Sequence, residues 1–185
     1  MDYASETIMQ EHGEKDFNYR LSPGQWKIGI DLSASELKSL DVLPLLIGWL
    51  GQIKLTQKQC REMFLIITEL YNNALDHGVL GLDSGLKSLE DGFDRFLSLR
   101  EERLNSLLDA SVVIEMQRQQ RDGAEYLQLR IKDSGKGFDA SCTPICDLAT
   151  HTGFSGRGVA LVRALCAKVE YLGNGNEVVA LYPLN

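Results

Sequence analysis

Residues 68–78, Thr-Glu-Leu-Tyr-Asn-Asn-Ala-Leu-Asp-His-Gly, set three polar side chains along one stripe of an otherwise apolar helix. At about 100° per residue, Asn73 lies about 40° and His77 about 80° around the helix from Glu69, so all three look into the same space. Upstream, Met63, Phe64, Ile66, Ile67 and Leu70 mark the segment as a core helix. A carboxylate, an amide and an imidazole on its continuation need polar partners or a ligand, because burying them bare is costly.

The elements around this stripe alternate between the two periodicities. Trp26 to Leu32 alternates apolar Trp26, Ile28 and Ile30 with Lys27 and Gly29, and then gives way to Ser33-Ala-Ser-Glu36, a strand followed by helix-capping chemistry. Leu37, Leu40, Leu43, Leu46 and Leu50 continue a helix, bent or restarted at Pro44. Thr56 caps the next helix, which runs through the stripe and stops at Gly78. Within residues 81–110, Phe93, Phe96, Leu97, Leu104, Leu107 and Leu108 amid many charges predict an amphipathic helix. From Ser111 the period is two: Val113 to Gln117 and Tyr126 to Ile131 form a hairpin around Asp122-Gly123. A loop of lid length, 139–155, precedes a helix opening at Gly156-Arg157-Gly158, and two strands, Lys168 to Leu172 and Val178 to Tyr182, end the pattern. This order predicts a two-layer α/β sandwich, a mixed β-sheet with helices on one face.

With 185 residues the chain forms one domain, residues 21–185, preceded by a polar, aperiodic tail at 1–20 that reads as a linker remnant. A formal charge of −7 gives no general attraction for nucleic acid or an anionic membrane. The longest apolar run, Val42 to Leu50, contains Pro44 and is far short of the roughly 20 residues of a span, and the N-terminus does not resemble a secretory signal. Cys60, Cys142, Cys146 and Cys166 lack disulfide-rich density and paired CxxC spacing, which points to a reduced, cytoplasmic protein.

Two more clusters carry chemistry. Asp133-Ser-Gly135-Lys-Gly137 follows a strand, where a carboxylate can enter a crevice and glycines let backbone approach a ligand. Gly156-Arg157-Gly158 offers free N–H groups, a positive dipole end and a guanidinium, a combination that suits phosphate. Each is weak alone. Asp-x-Gly-x-Gly is ordinary turn chemistry, Glu69 would pass as a surface carboxylate, Asn73 as an amide bonded to a loop, and His77 as a dipole partner at a helix end.

Order and separation change that balance. Glu-x3-Asn-Ala-x2-His on a helix, Asp-x-Gly-x-Gly after a strand, a long loop and Gly-x-Gly opening a helix resemble the ATP-binding domain of the GHKL superfamily, with its Bergerat fold. Residues 24–184 carry the likeness. Within the superfamily the motifs look most like anti-sigma-factor serine kinases of bacterial partner-switching systems, and are similar to the kinase-like domains at the C-terminus of response regulators with a PP2C-type phosphatase domain. The resemblance implies that Asn73 ligates Mg²⁺ on the phosphates of ATP, that Glu69 is the general base, and that Asp133 accepts from the adenine amino group. Gly135 and Gly137 would shape the pocket wall and lid hinge, Gly156, Arg157 and Gly158 would cradle the phosphates, and His77 would bind nucleotide or organise the motif. Gly175-Asn176-Glu177 departs from the family's usual Gly-Thr, so one polar contact is altered or lost, and residues 81–110 are longer than the usual link.

The resemblance implies an ATP- and Mg²⁺-dependent serine kinase acting on a STAS-domain anti-sigma factor antagonist, with sequestration of a sigma or anti-sigma factor as an alternative mode. A histidine-kinase catalytic domain would need a dimerisation helix pair bearing a phosphoacceptor, whereas His12 lies in the aperiodic tail and His151 in the long loop. A non-catalytic partner-capture module is the third reading. A homodimer is left open.

Overall fold

Asp122 and Gly123 form a two-residue turn with positive φ at both positions, 51° and 78°, the demand of a type I′ hairpin. The turn joins β2 (Ser111–Arg121) to β3 (Ala124–Asp133). With β1 (Trp26–Ser33), β4 (Lys168–Leu172) and β5 (Glu177–Pro183) they make a five-stranded sheet in the order β1-β2-β3-β5-β4. These features come from a computed structural model, which describes residues 25–89, 91–138 and 157–184. The expected tail at 1–20 and the lid-length loop 139–155 lie outside the described residues.

The sheet is antiparallel throughout and not mixed. β3 and β4 run in the same direction, linked through α5 (Arg157–Leu165), but β5 folds back between them and pairs with both. A parallel relation thus exists in direction without any parallel ladder. The two-layer α/β arrangement itself is as the pattern predicts.

Helices cover one face of the sheet. Ser33 and Glu36 form a capping box on α1 (Ala34–Ser39), and Asp41 caps α2 (Val42–Leu50). The break between them falls at Leu40-Asp41, and Pro44 sits within the first turn of α2, where its missing N–H costs little. Thr56 and Gln59 box the start of α3 (Gln57–Asn72). Met63, Ile66, Ile67 and Leu70 of α3 are at most 1% exposed and meet the inward residues of β2 and β3, among them Ile114, Met116, Leu129 and Ile131. Tyr182 of β5 donates its hydroxyl to Glu62 at 2.5 Å, and Gln59 Nε2 donates to Leu184 O at 2.9 Å, tying α3 to the last strand.

The other face of the sheet is polar. Lys27 pairs with Glu115 at 2.5 Å, and Arg130 bridges Glu115 at 2.7 Å and Glu177 at 2.8 Å, a chain of charges across β1, β2, β3 and β5.

Two local expectations change. α3 passes directly into a π-helical stretch, Asn73–Val79, whose i→i+5 pattern alters the angular spacing of the polar stripe. In the segment 81–110 the structure has a 3₁₀ turn, Ser84–Ser88, and α4 (Gly92–Ser106). Phe96 is buried and Leu99, Leu104 and Leu107 are partly so, but Phe93, Leu97 and Leu108 are 59%, 46% and 92% exposed. α4 packs on α1 and on the 3₁₀ turn, a strip too narrow to cover the whole apolar face.

The hairpin gives a direct stability test. A methyl group at Gly123 would meet nothing within 4 Å, so Gly123→Ala should cost about 1–2 kcal/mol through backbone conformation alone. Urea unfolding should show a lower midpoint with an unchanged slope.

Candidate functional site

The end of the α3 helix, the end of β3 and the start of β5 surround a cavity of about 400 Å³, within the roughly 300–1,000 Å³ of small-molecule sites. Leu70, Ala74, Ile131 and Val178 supply apolar wall. Asn73, His77, Ser84, Asp133, Asn176 and Glu177 are among its polar residues.

Asp133 ends β3. Alternation in Leu127, Leu129 and Ile131 aims it at the helical layer, and it is 8% exposed. Its Oδ1 accepts the Gly135 N–H at 2.8 Å. Burial pushes the carboxyl pKa above the ordinary 3.8, and the Gly135 N–H only partly opposes this. A carboxylate accepts about four hydrogen bonds, so Asp133 keeps capacity for a ligand donor. Its backbone is fixed by Asn176: Asp133 N–H donates to Asn176 O at 2.9 Å, and Asn176 Nδ2 donates to Asp133 O at 2.7 Å.

Close backbone approach surrounds this carboxylate. A Cβ on Gly78 would fall 2.5 Å from Asp133 Oδ1, and one on Gly135 would fall 2.1 Å from Gly78 O. Gly137 has φ of 72°, and a Cβ there would fall 2.2 Å from Asn174 O. It leads to Phe138, whose ring meets Tyr171 of β4 edge to face at 5.0 Å, and both rings line the cavity.

The helical stripe is divided. Asn73 and His77 line the cavity, and His77 Nδ1 donates to Leu82 O at 2.6 Å. A carbonyl only accepts, so Nδ1 carries the proton and Nε2 is left as the ring's second polar atom. Glu69 instead lies against the first turn of α5, where a Cβ on Gly158 would fall 1.9 Å from its Oε2. Val159 brings the same turn to the cavity edge. Arg157 is the first residue of α5, while Gly156 lies outside the described residues.

Phe138, Tyr171, Asn176 and Ser84 are cavity residues that motif reading did not assign as ligand contacts. Phe138 follows the Asp-x-Gly-x-Gly motif directly, and Tyr171 shares the inward alternation of Val169, signals that were available. Asn176 stands where the resemblance already marked an altered polar contact, whereas Ser84 has no such local signature.

Among the described residues no three His, Cys, Asp or Glu side chains gather into a metal site. A lone amide oxygen such as that of Asn73, which lines the cavity, would suit a hard cation that keeps most of its waters and is held mainly by a ligand's own oxygens. No helix of the described residues is long and apolar enough to cross a membrane.

Residues 41–182 match the family model described as a histidine kinase-like ATPase domain. That span includes the cavity and all its polar side chains. No curated protein matches the chain.

Two substitutions probe the crowded end of β3. Asp133→Asn places an amide donor where an acceptor is needed, so ATP affinity should drop by the equivalent of about 1–3 kcal/mol with the fold retained. In the wild-type protein affinity should fall with acid at a pH above the ordinary aspartate value of 3.8, because protonation removes acceptor capacity, and the Asn variant should lack that limb. Gly78→Ala should also weaken ATP binding, by displacing the Asp133 carboxylate. Calorimetry across pH, with circular dichroism for folding, measures all three; unchanged affinity in folded variants overturns the assignment.

Proposed function

The chain belongs to the histidine kinase-like ATPase family, and from that premise we propose that it is an ATP- and Mg²⁺-dependent protein serine kinase of the anti-sigma-factor type. Its substrate is a STAS-domain anti-sigma factor antagonist.

The observation that carries this reading is the division of the helical stripe. Asn73 lines the nucleotide cavity, while Glu69, one turn earlier, has its carboxylate against the first turn of α5 beside Val159. A metal-directed amide and a carboxylate on one rigid helix is the equipment that phosphoryl transfer asks for, since this chemistry depends on positioning and charge more than on covalent help. When bound, Mg²⁺ would neutralise the phosphate oxygens beside Asn73. Asp133 holds the base end. Glu69 orients a serine hydroxyl and takes its proton as the oxygen bonds to the γ-phosphorus and the bond to the β-phosphate breaks, releasing ADP. The free N–H groups and positive dipole end of the α5 start suit the phosphates.

Three measurements separate this from a binding module. Asn73→Ala should abolish the Mg²⁺ enhancement of ATP binding seen by calorimetry, because the helix then offers no oxygen to the metal. Glu69→Ala should bind ATP within a few-fold of wild type yet transfer phosphate to its serine-bearing partner at least ~100-fold more slowly, roughly 2.7 kcal/mol of transition-state stabilisation. Wild-type protein that turns over no phosphate onto any STAS partner, or a Glu69 variant as fast as wild type, rejects catalysis and favours partner capture.

A further inference from the structure

The insert between the π-helical stretch and β2 is tied to the cavity through two arginines of α4. Arg100 Nε donates to Asp76 Oδ1 at 2.6 Å, and Asp76 is only 7% exposed. Arg103 Nη1 donates to the carbonyls of Leu80 and Gly81, at 2.7 Å each. These contacts fall on the stretch that most needs them. A π-helical turn is a rare conformation with poor intrinsic stability, and a helix end leaves carbonyls without partners. Leu82 N–H caps Asp76 O at 2.8 Å, and the same Leu82 offers its carbonyl to His77. Ser84, in the 3₁₀ turn of the insert, lines the cavity directly.

We propose that Arg100 and Arg103 are positioning residues for the metal-facing side of the site: α4 clamps Asn73–Val79 so that Asn73 and His77 stay turned to the cavity. The inference rests on the reading of the cavity as a Mg²⁺-nucleotide site. Asp133 stands on β3 and is held there by Gly135 and Asn176, so it depends on the clamp less than Asn73 does, through the packing of Gly78 against its carboxylate. Loosening α4 therefore impairs the metal-facing side of the site more than the other. The side-chain chemistry explains why arginine serves here. Burying a carboxylate as deeply as Asp76 is costly unless it is paired and hydrogen-bonded, and a planar guanidinium gives donors in fixed directions where lysine gives a single point charge.

The test compares wild type with Arg100→Ala, Arg100→Lys and Arg103→Ala. Without nucleotide, hydrogen exchange should show lost protection at amides 74–82 in Arg100→Ala, with the β2 and β3 amides unchanged. In calorimetry, Arg100→Ala should weaken Mg²⁺-ATP binding about tenfold and ATP binding in EDTA by clearly less. Arg100→Lys should restore most of the difference. Unchanged exchange at 74–82, or equal loss of affinity with and without Mg²⁺, overturns the proposal. Should Arg100→Ala lose sheet protection as well, Arg103→Ala carries the same readouts, because it leaves Asp76 paired. Wild-type protein without any Mg²⁺ effect refutes the nucleotide-metal reading instead, and the exchange arm still decides the clamp.

Discussion

The rest of the site depends on how closely the end of the α3 helix approaches the end of β3. Gly78 and Gly135 lie so near Asp133 that a methyl on either would overlap the carboxylate or the Gly78 carbonyl. This contact fixes the angle between helix and strand, and it puts a carboxylate into a place with little water. Folding alone would select against that carboxylate, because burial raises the energy of its charged form. It is tolerated through the Gly135 N–H and has spare acceptor capacity toward the cavity. A carboxylate shifted by burial, with one satisfied bond and one side open to a cavity, is a candidate for holding a ligand.

The sheet supplies the rigid frame for that contact. Its stability comes from the apolar layer between α3 and the strands, since ion pairs as exposed as those on the outer face are each worth about 0–1 kcal/mol. The charge chain from Lys27 through Glu115 and Arg130 to Glu177 does something different: it matches side chains across four strands and so specifies register. Glu177 and Asn176 sit at the start of β5, where that register decides which residues reach the cavity.

Charge also organises the helix side. A chain of formal charge −7 that binds a polyanion must manage repulsion. Asp76 is adjacent to His77 in the stretch that borders the cavity, and its pairing with Arg100 removes one negative charge from that neighbourhood. Among the described residues no acidic cluster stands ready to hold a metal by itself; on the proposed reading a cation would come with the phosphates, and the placement of Asn73 would then matter most.

By itself the sequence determined the local parts. Asp122-Gly123 required a I′ turn, Ser33 and Thr56 with their partners at N3 capped helices, and the spacing of Met63, Ile66, Ile67 and Leu70 made a core helix, because all of these depend on backbone sterics or on periodicity within a few residues. The stripe Glu69, Asn73 and His77 and the strand-end Asp133 were legible as motifs for the same reason. Tertiary structure decided the rest. The antiparallel ladder arises because β5 inserts between β3 and β4, a long-range choice that no local period encodes. Packing divided the stripe, leaving Asn73 and His77 on the cavity and Glu69 against the first turn of α5. Asn176 and Ser84 became part of the site, and Arg100 its support, because segments as distant in the chain as those holding Leu70 and Val178 meet there. Contacts between distant segments are set by how layers pack, and a local reading of side chains carries no information about that separation.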